Sequence, residues 1–84
     1  MAKYERQINA RPVELIRTLS ASLGKAGRTL IDSSSYEVGG VSAHLEVWDQ
    51  LSVLVIGTGG SSTVTAISSD EADTTLVERT LDKL

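Results

Sequence analysis

The chain has no cysteine and no phenylalanine, and only one proline, one tryptophan and one histidine among its 84 residues. Each shortage closes off some chemistry. Without cysteine there is no disulfide framework, no thiol nucleophile and no thiolate metal site. With one histidine there is no imidazole pair, whereas a mononuclear metal site takes at least three protein ligands. No apolar run approaches the ~20 residues needed to cross a bilayer as a helix. The opening MAKYERQINARP has basic residues but no apolar stretch of the kind a secretory signal carries. Asn9 is followed by Ala-Arg, so no N-glycosylation acceptor exists. These absences lead to the expectation of a cytoplasmic protein that uses no metal or cofactor.

What is present is ordinary. The chain is 40% hydrophobic and 23% charged, within the range of globular domains. Residues 1–84 make a single domain, since a second core would not fit. A chain this short buries a modest share of its surface and is marginal alone, and self-association is a common remedy. The net charge of −3 is unevenly placed. Residues 1–28 hold six basic groups against Glu5 and Glu14, a balance of +4. Residues 29–84 hold Arg79 and Lys83 against nine acids, a balance of −7. A nucleic-acid binder would show a dominant basic cluster. Here a basic first segment is expected to pack beside an acidic last one, with no nucleic-acid or membrane partner.

Periodicity divides the chain into strand, helix, four strands and helix. KYERQI (residues 3–8) alternates as a strand does. From Asn9 the period changes: Leu15, Ile16, Leu19 and Leu23, with Val13 weakly, recur at three and four as on an amphipathic helix. Asn9 is the candidate N-cap, Pro12 suits a first turn, and Gly24 offers a stop. RTLIDSSSYEV, VSAHLEVWD, LSVLVIGT and SSTVTAIS follow, separated by Gly39-Gly40, Asp49-Gln50 and Gly59-Gly60. Gly-Gly signals a two-residue hairpin because both central residues of a type I′ turn need positive φ. The triplet Ser33-Ser34-Ser35 has low strand propensity and predicts a bulge or shortening of the first of these strands. In SSDEADTTLVERTLDKL, Ser68 and Glu71 read as a capping box, with Leu76, Val77, Leu81 and Leu84 on one face. The fold class is therefore α+β, β-α-β-β-β-β-α, an antiparallel meander with two helices packed mainly on one face.

Two-residue turns fix the register, and the register sorts side chains onto two faces. One face collects Tyr36, Val38, Val41, Ala43, Leu45, Val47, Leu54, Ile56 and Ile67, and is expected to receive the helices. The other collects Ile31, Ser35, His44, Glu46, Trp48, Leu51, Val53, Val55, Val64 and Ala66. Neither is a solvated face, since a sheet with one wet face should alternate cleanly between apolar and polar. With both helices on one side, the second face is left to a partner. The expected contact surface is thus His44, Glu46, Trp48, Val53, Val55 and Val64.

Catalytic motifs are absent. His44 and Glu46 share a face and Ser35 is predicted opposite His44, which would serve an acid–base or nucleophilic role only with further groups. No G-x-S-x-G elbow occurs. GTGGSS (residues 57–62) lacks the Walker ending and leads into a strand, so it reads as a hairpin turn.

The start MAKYE and the central SYEVGGVSAHLEVWDQLS resemble a family of small bacterial proteins classed as a domain of unknown function. That resemblance implies a bacterial, cytoplasmic origin and carries no site residue. The element order is similar to half of the TATA-binding-protein fold and to helix-grip folds. The TATA-binding function is not implied, because that sheet needs basic and wedging aromatic residues on its open face. The expectation is a non-enzymatic domain that self-associates as a homodimer through an apolar sheet face. The alternative is a binder of a small apolar ligand or lipid, with Tyr36, His44 or Trp48 at the mouth of a cleft between sheet and helices.

Overall fold

A computed structural model describes residues 1–84. Its elements are β1 (Ala2–Ile8), α1 (Pro12–Lys25), β2 (Leu30–Val38), β3 (Val41–Trp48), β4 (Leu51–Gly57), β5 (Ser62–Ser68) and α2 (Glu71–Asp82). The five strands form one sheet in the order β1-β5-β4-β3-β2, every neighbouring pair antiparallel. The α+β class and the β-α-β-β-β-β-α order are as the periodicity predicts.

The register also follows the turns. Val38 faces Val41, Tyr36 faces Ala43 and Ser34 faces Leu45. Leu45 faces Leu54 and Ala43 faces Ile56, while Ile56 faces Thr63 and Leu54 faces Thr65. Gly39 and Gly40 both have positive φ, as a type I′ turn requires. Gly59 and Gly60 do not: Thr58 to Ser61 instead form a wider loop closed by Thr58 N–H donating to the Ser61 carbonyl at 2.9 Å. The β2 irregularity falls between Leu30 and Asp32, just ahead of the serine triplet.

Both helix starts differ from expectation. The N-cap of α1 is Arg11, with no side-chain cap bond and Pro12 at the first helical position. Asn9 lies too far upstream to serve. At the other end Gly24 remains helical, and the stop is Gly27 at φ +83°. Arg28 N–H donates to the Leu23 carbonyl and Gly27 N–H to that of Gly24, the paired bonds of a Schellman ending. In α2 the cap is Asp70, whose carboxylate accepts from Ala72 N–H at 3.0 Å. Ser68 is still the last residue of β5 and turns its hydroxyl inward. Leu84 lies beyond α2 and is exposed; the buried stripe is Asp73, Thr74, Val77, Thr80 and Leu81.

Both helices lie on one face of the sheet, α1 over β3 and β4 and α2 over β1 and β5. The covered face is the opposite of the expected one. Leu15, Ile16, Leu19 and Leu23 from α1 and Val77 and Leu81 from α2 enclose Trp48, Leu51, Val53, Val55, Val64 and Ala66. Chirality explains the choice. By the alternation of directions β1 and β2 run parallel at opposite edges, so β1–α1–β2 is a crossover, and such connections are right-handed in about 98% of cases. In a two-residue hairpin Val38 and Val41 form the hydrogen-bonded pair closing the turn. For L-residues that pairing and a right-handed crossover place α1 on the face of His44, Val55 and Val64. Helices on the Tyr36 face would require a left-handed crossover.

The charge asymmetry resolves as expected. Arg6 of β1 pairs with Asp82 of α2, and Arg28 pairs with Asp73 at 2.6 Å. Both ion pairs join the basic first segment to the acidic last one.

Candidate functional site: an uncovered apolar sheet face

The six residues expected at a contact surface lie under the helices. Val53, Val55 and Val64 are completely buried, and Trp48 and Glu46 nearly so. His44 is half-buried at the margin of the helix layer. They belong to the core and its border, and the crossover argument above is the reason.

The structure does bring part of the polar set together. Ser35 Oγ lies 2.8 Å from His44 Nδ1 across the β2–β3 pair. Trp48 Nε1–H donates to Glu46 Oε1 at 3.1 Å. Burial pushes the Glu46 carboxyl above its ordinary value, while the Trp48 N–H, His44 and the Ser20 hydroxyl pull it the other way. A serine–histidine–carboxylate relay needs the imidazole between the other two groups. Here Glu46 is bonded to Trp48 and makes no hydrogen bond to His44, so the pieces form two separate pairs.

The uncovered face is built row by row from the register. Tyr36, Ala43, Ile56, Thr63 and Gln7 form one row across the sheet; Ser34, Leu45, Leu54, Thr65 and Glu5 form the next. Asp32, Val47, Ser52, Ile67 and Lys3 complete it, with Val38 and Val41 at the turn end. Charged groups are confined to β1 and the Asp32 corner, and the uncharged polar groups are Gln7 on β1, Thr63 and Thr65 on β5, Ser34 on β2 and Ser52 on β4. Apart from Ser34 and Ser52, the middle on β2, β3 and β4 is apolar. Tyr36 is 67% and Val38 77% exposed, and Val41, Leu45, Ile56 and Ile67 each about 40%. Lone exposed apolar residues are normal on any protein, but a contiguous set of several hundred Å² marks an interaction surface. Sequence periodicity identified this residue set correctly; it misassigned only the side on which the helices sit.

Space between the helices and the sheet is filled by the core side chains. The clefts that exist open at the surface. One, bordered by Arg11, Glu37, Ser42, His44 and Thr58, has a single hydrophobic residue, Val13, in its lining. No helix is long and apolar enough to cross a membrane. The chain matches no protein-family profile, no curated protein and no solved structure.

Proposed function

We propose that this protein is a homotypic association module whose open sheet face packs on the same face of a second copy. The observation that carries this reading is the apolar centre of a face that neither helix covers, Tyr36, Val38, Val41, Leu45 and Ile56 above all. Size supports it. Five strands about 4.8 Å apart, each about seven residues long at about 3.3 Å per residue, span roughly 24 by 23 Å. Two such faces give a footprint of about 1,100 Å², which passes the ~1,000 Å² expected of a specific interface. Sheets stack face to face at about 10 Å with apolar inner faces, the arrangement this surface offers. A cleft for an apolar ligand has less in its favour, because the interior is filled and the largest surface cleft has Val13 as its one hydrophobic residue.

Light scattering is the test. The unmodified chain is expected to show a mass above 8.9 kDa that falls in Leu45→Glu, with the circular dichroism spectrum unchanged. Leu45 is 38% exposed and points away from the core, so the substitution leaves the fold intact. A monomeric unmodified chain at millimolar concentration overturns the reading.

A further inference from the structure

We propose that strand β2 is a second, independent association site, at which two copies pair their β2 edges antiparallel and continue the sheet. The inference rests on backbone groups at the sheet edge and not on the apolar face.

The two edges of the sheet are treated differently. On β1, Lys3, Glu5 and Arg6 line the strand, α2 packs over it, and Arg6 is tied to Asp82. Charged side chains, lysine especially, are how edge strands are kept from pairing with other chains. On β2 neither helix packs, and every residue except Ser34 is exposed. Its middle is Ser33-Ser34-Ser35, with no lysine, arginine or proline anywhere in the strand.

The hairpin geometry says which groups are free. Val38, Tyr36 and Ser34 direct their N–H and C=O groups to β3, because Val38–Val41 is the hydrogen-bonded pair beside the turn. Ser33, Ser35 and Glu37 therefore direct theirs outward, with the Ser33 N–H donating locally to Asp32 Oδ1 at 2.9 Å. These three are symmetric about Ser35, and so is the regular stretch Asp32–Val38 that follows the bulge. A two-fold axis through Ser35 pairs this stretch with itself over its whole length. It sets Asp32 opposite the other copy's Val38 and Glu37 opposite its Ser33. The two carboxylates of β2 then never oppose one another, and like charges directly opposed are what destabilises a strand pair. A second copy is in this sense the complement of the edge. The product is a ten-stranded sheet with all four helices on one side.

The test uses the absence of cysteine, since any thiol introduced is the only one. In a Leu45→Glu background, where the open face is disabled, Ser35→Cys is expected to form an intermolecular disulfide on mild oxidation. Asp32→Cys is expected not to, because with the axis at Ser35 two copies of residue 32 stand about 20 Å apart. Equal cross-linking of the two variants, or none of Ser35→Cys, overturns the proposal. Amide exchange on the chain without added cysteine gives a second reading. The N–H groups of Ser35 and Glu37 should exchange more slowly as protein concentration rises, and concentration-independent fast exchange overturns it. Failure of the open-face reading would appear instead as an unchanged mass in Leu45→Glu, so the two outcomes are separable.

Discussion

Gly57, the last residue of β4, and Gly59, in the loop that follows, stand two residues apart and should respond oppositely to alanine. A Cβ at Gly57 would lie 2.2 Å from the Ser61 carbonyl oxygen and 2.7 Å from Ser62 Cα. Backbone atoms cannot move aside cheaply, and Ser62 is further pinned by donating its hydroxyl to the Ala10 carbonyl at 2.7 Å. Gly57→Ala is expected to destabilise by about 2 kcal/mol or more, in the range of steric strain. At Gly59 nothing lies within 4 Å and φ is not positive. Gly59→Ala is expected to be neutral or to stabilise by up to about 1 kcal/mol through the unfolded chain. Urea midpoints at constant m-value check both. The Gly-Gly dipeptide suggested the reverse emphasis, because it reads as a turn whose glycines are required; only Gly39-Gly40 is such a turn. Glu46 carries a pH signature. Its carboxyl has a raised pKa, so the folded chain holds that proton at pH values where the unfolded chain has lost it. Stability therefore declines as pH rises from the ordinary value of 4.5 through the raised one, and the penalty persists at neutral pH. Relative to the unmodified chain, Glu46→Gln should gain stability across that window and keep the gain at pH 7. An unchanged difference between pH 4 and pH 8 would contradict this.

Between elements, the more buried of the two ion pairs is the clasp of Arg28, after α1, on Asp73 in the first turn of α2. Asp73 is 3% exposed in its side chain and Arg28 35%. The Ser68 hydroxyl stands 2.9 Å from the other Asp73 oxygen and 2.8 Å from the Gln50 carbonyl, and accepts from Asp70 N–H. Removing one partner of a buried pair is expensive because it strands the other. The two removals should therefore differ. Arg28→Met leaves a buried carboxylate without its cation and should cost about 3 kcal/mol. Asp73→Asn leaves an arginine that still reaches water, and should cost less. Equal losses in chemical denaturation would mean that the burial asymmetry has no energetic weight. Elements were the most legible level of the sequence. Helix periods, hairpin parities and the sign of the charge segregation could all be taken from residues near one another in the chain. The side of the sheet that meets the helices could not. Val53, Val55 and Val64 compete with Leu45, Leu54 and Ile56 on nearly equal apolar terms. What decides is the handedness of β1–α1–β2, and that argument needs β1 placed beside β5. This pairing joins residues some sixty positions apart, and no turn announces it. Misplacing the helices by one face turned the expected contact residues into core and the expected core into the open surface.

At the scale of the whole molecule, compactness and burial point in different directions. The radius of gyration of 11.8 Å is what a fully compact chain of this length should have. Yet only 19 of 84 residues are buried, because a single two-layer domain with one bare sheet face has one thin core. Tighter folding cannot add to it; a second copy can. Association that stabilises the folded form makes thermal stability depend on concentration. A tenfold rise is worth about 1.4 kcal/mol per pair of chains, or about 0.7 per chain. At about 4–8 °C per kcal/mol for a domain of this size, the Tm should climb by roughly 3–6 °C per tenfold increase in concentration. Leu45→Glu should reduce that slope. Val55→Glu should behave differently, lowering the Tm at every concentration, because its carboxylate would enter the core beneath α1 and not the interface. A Tm unchanged over a hundredfold dilution would show that the chain draws no stability from its neighbours, and the open face would then have to serve a different protein.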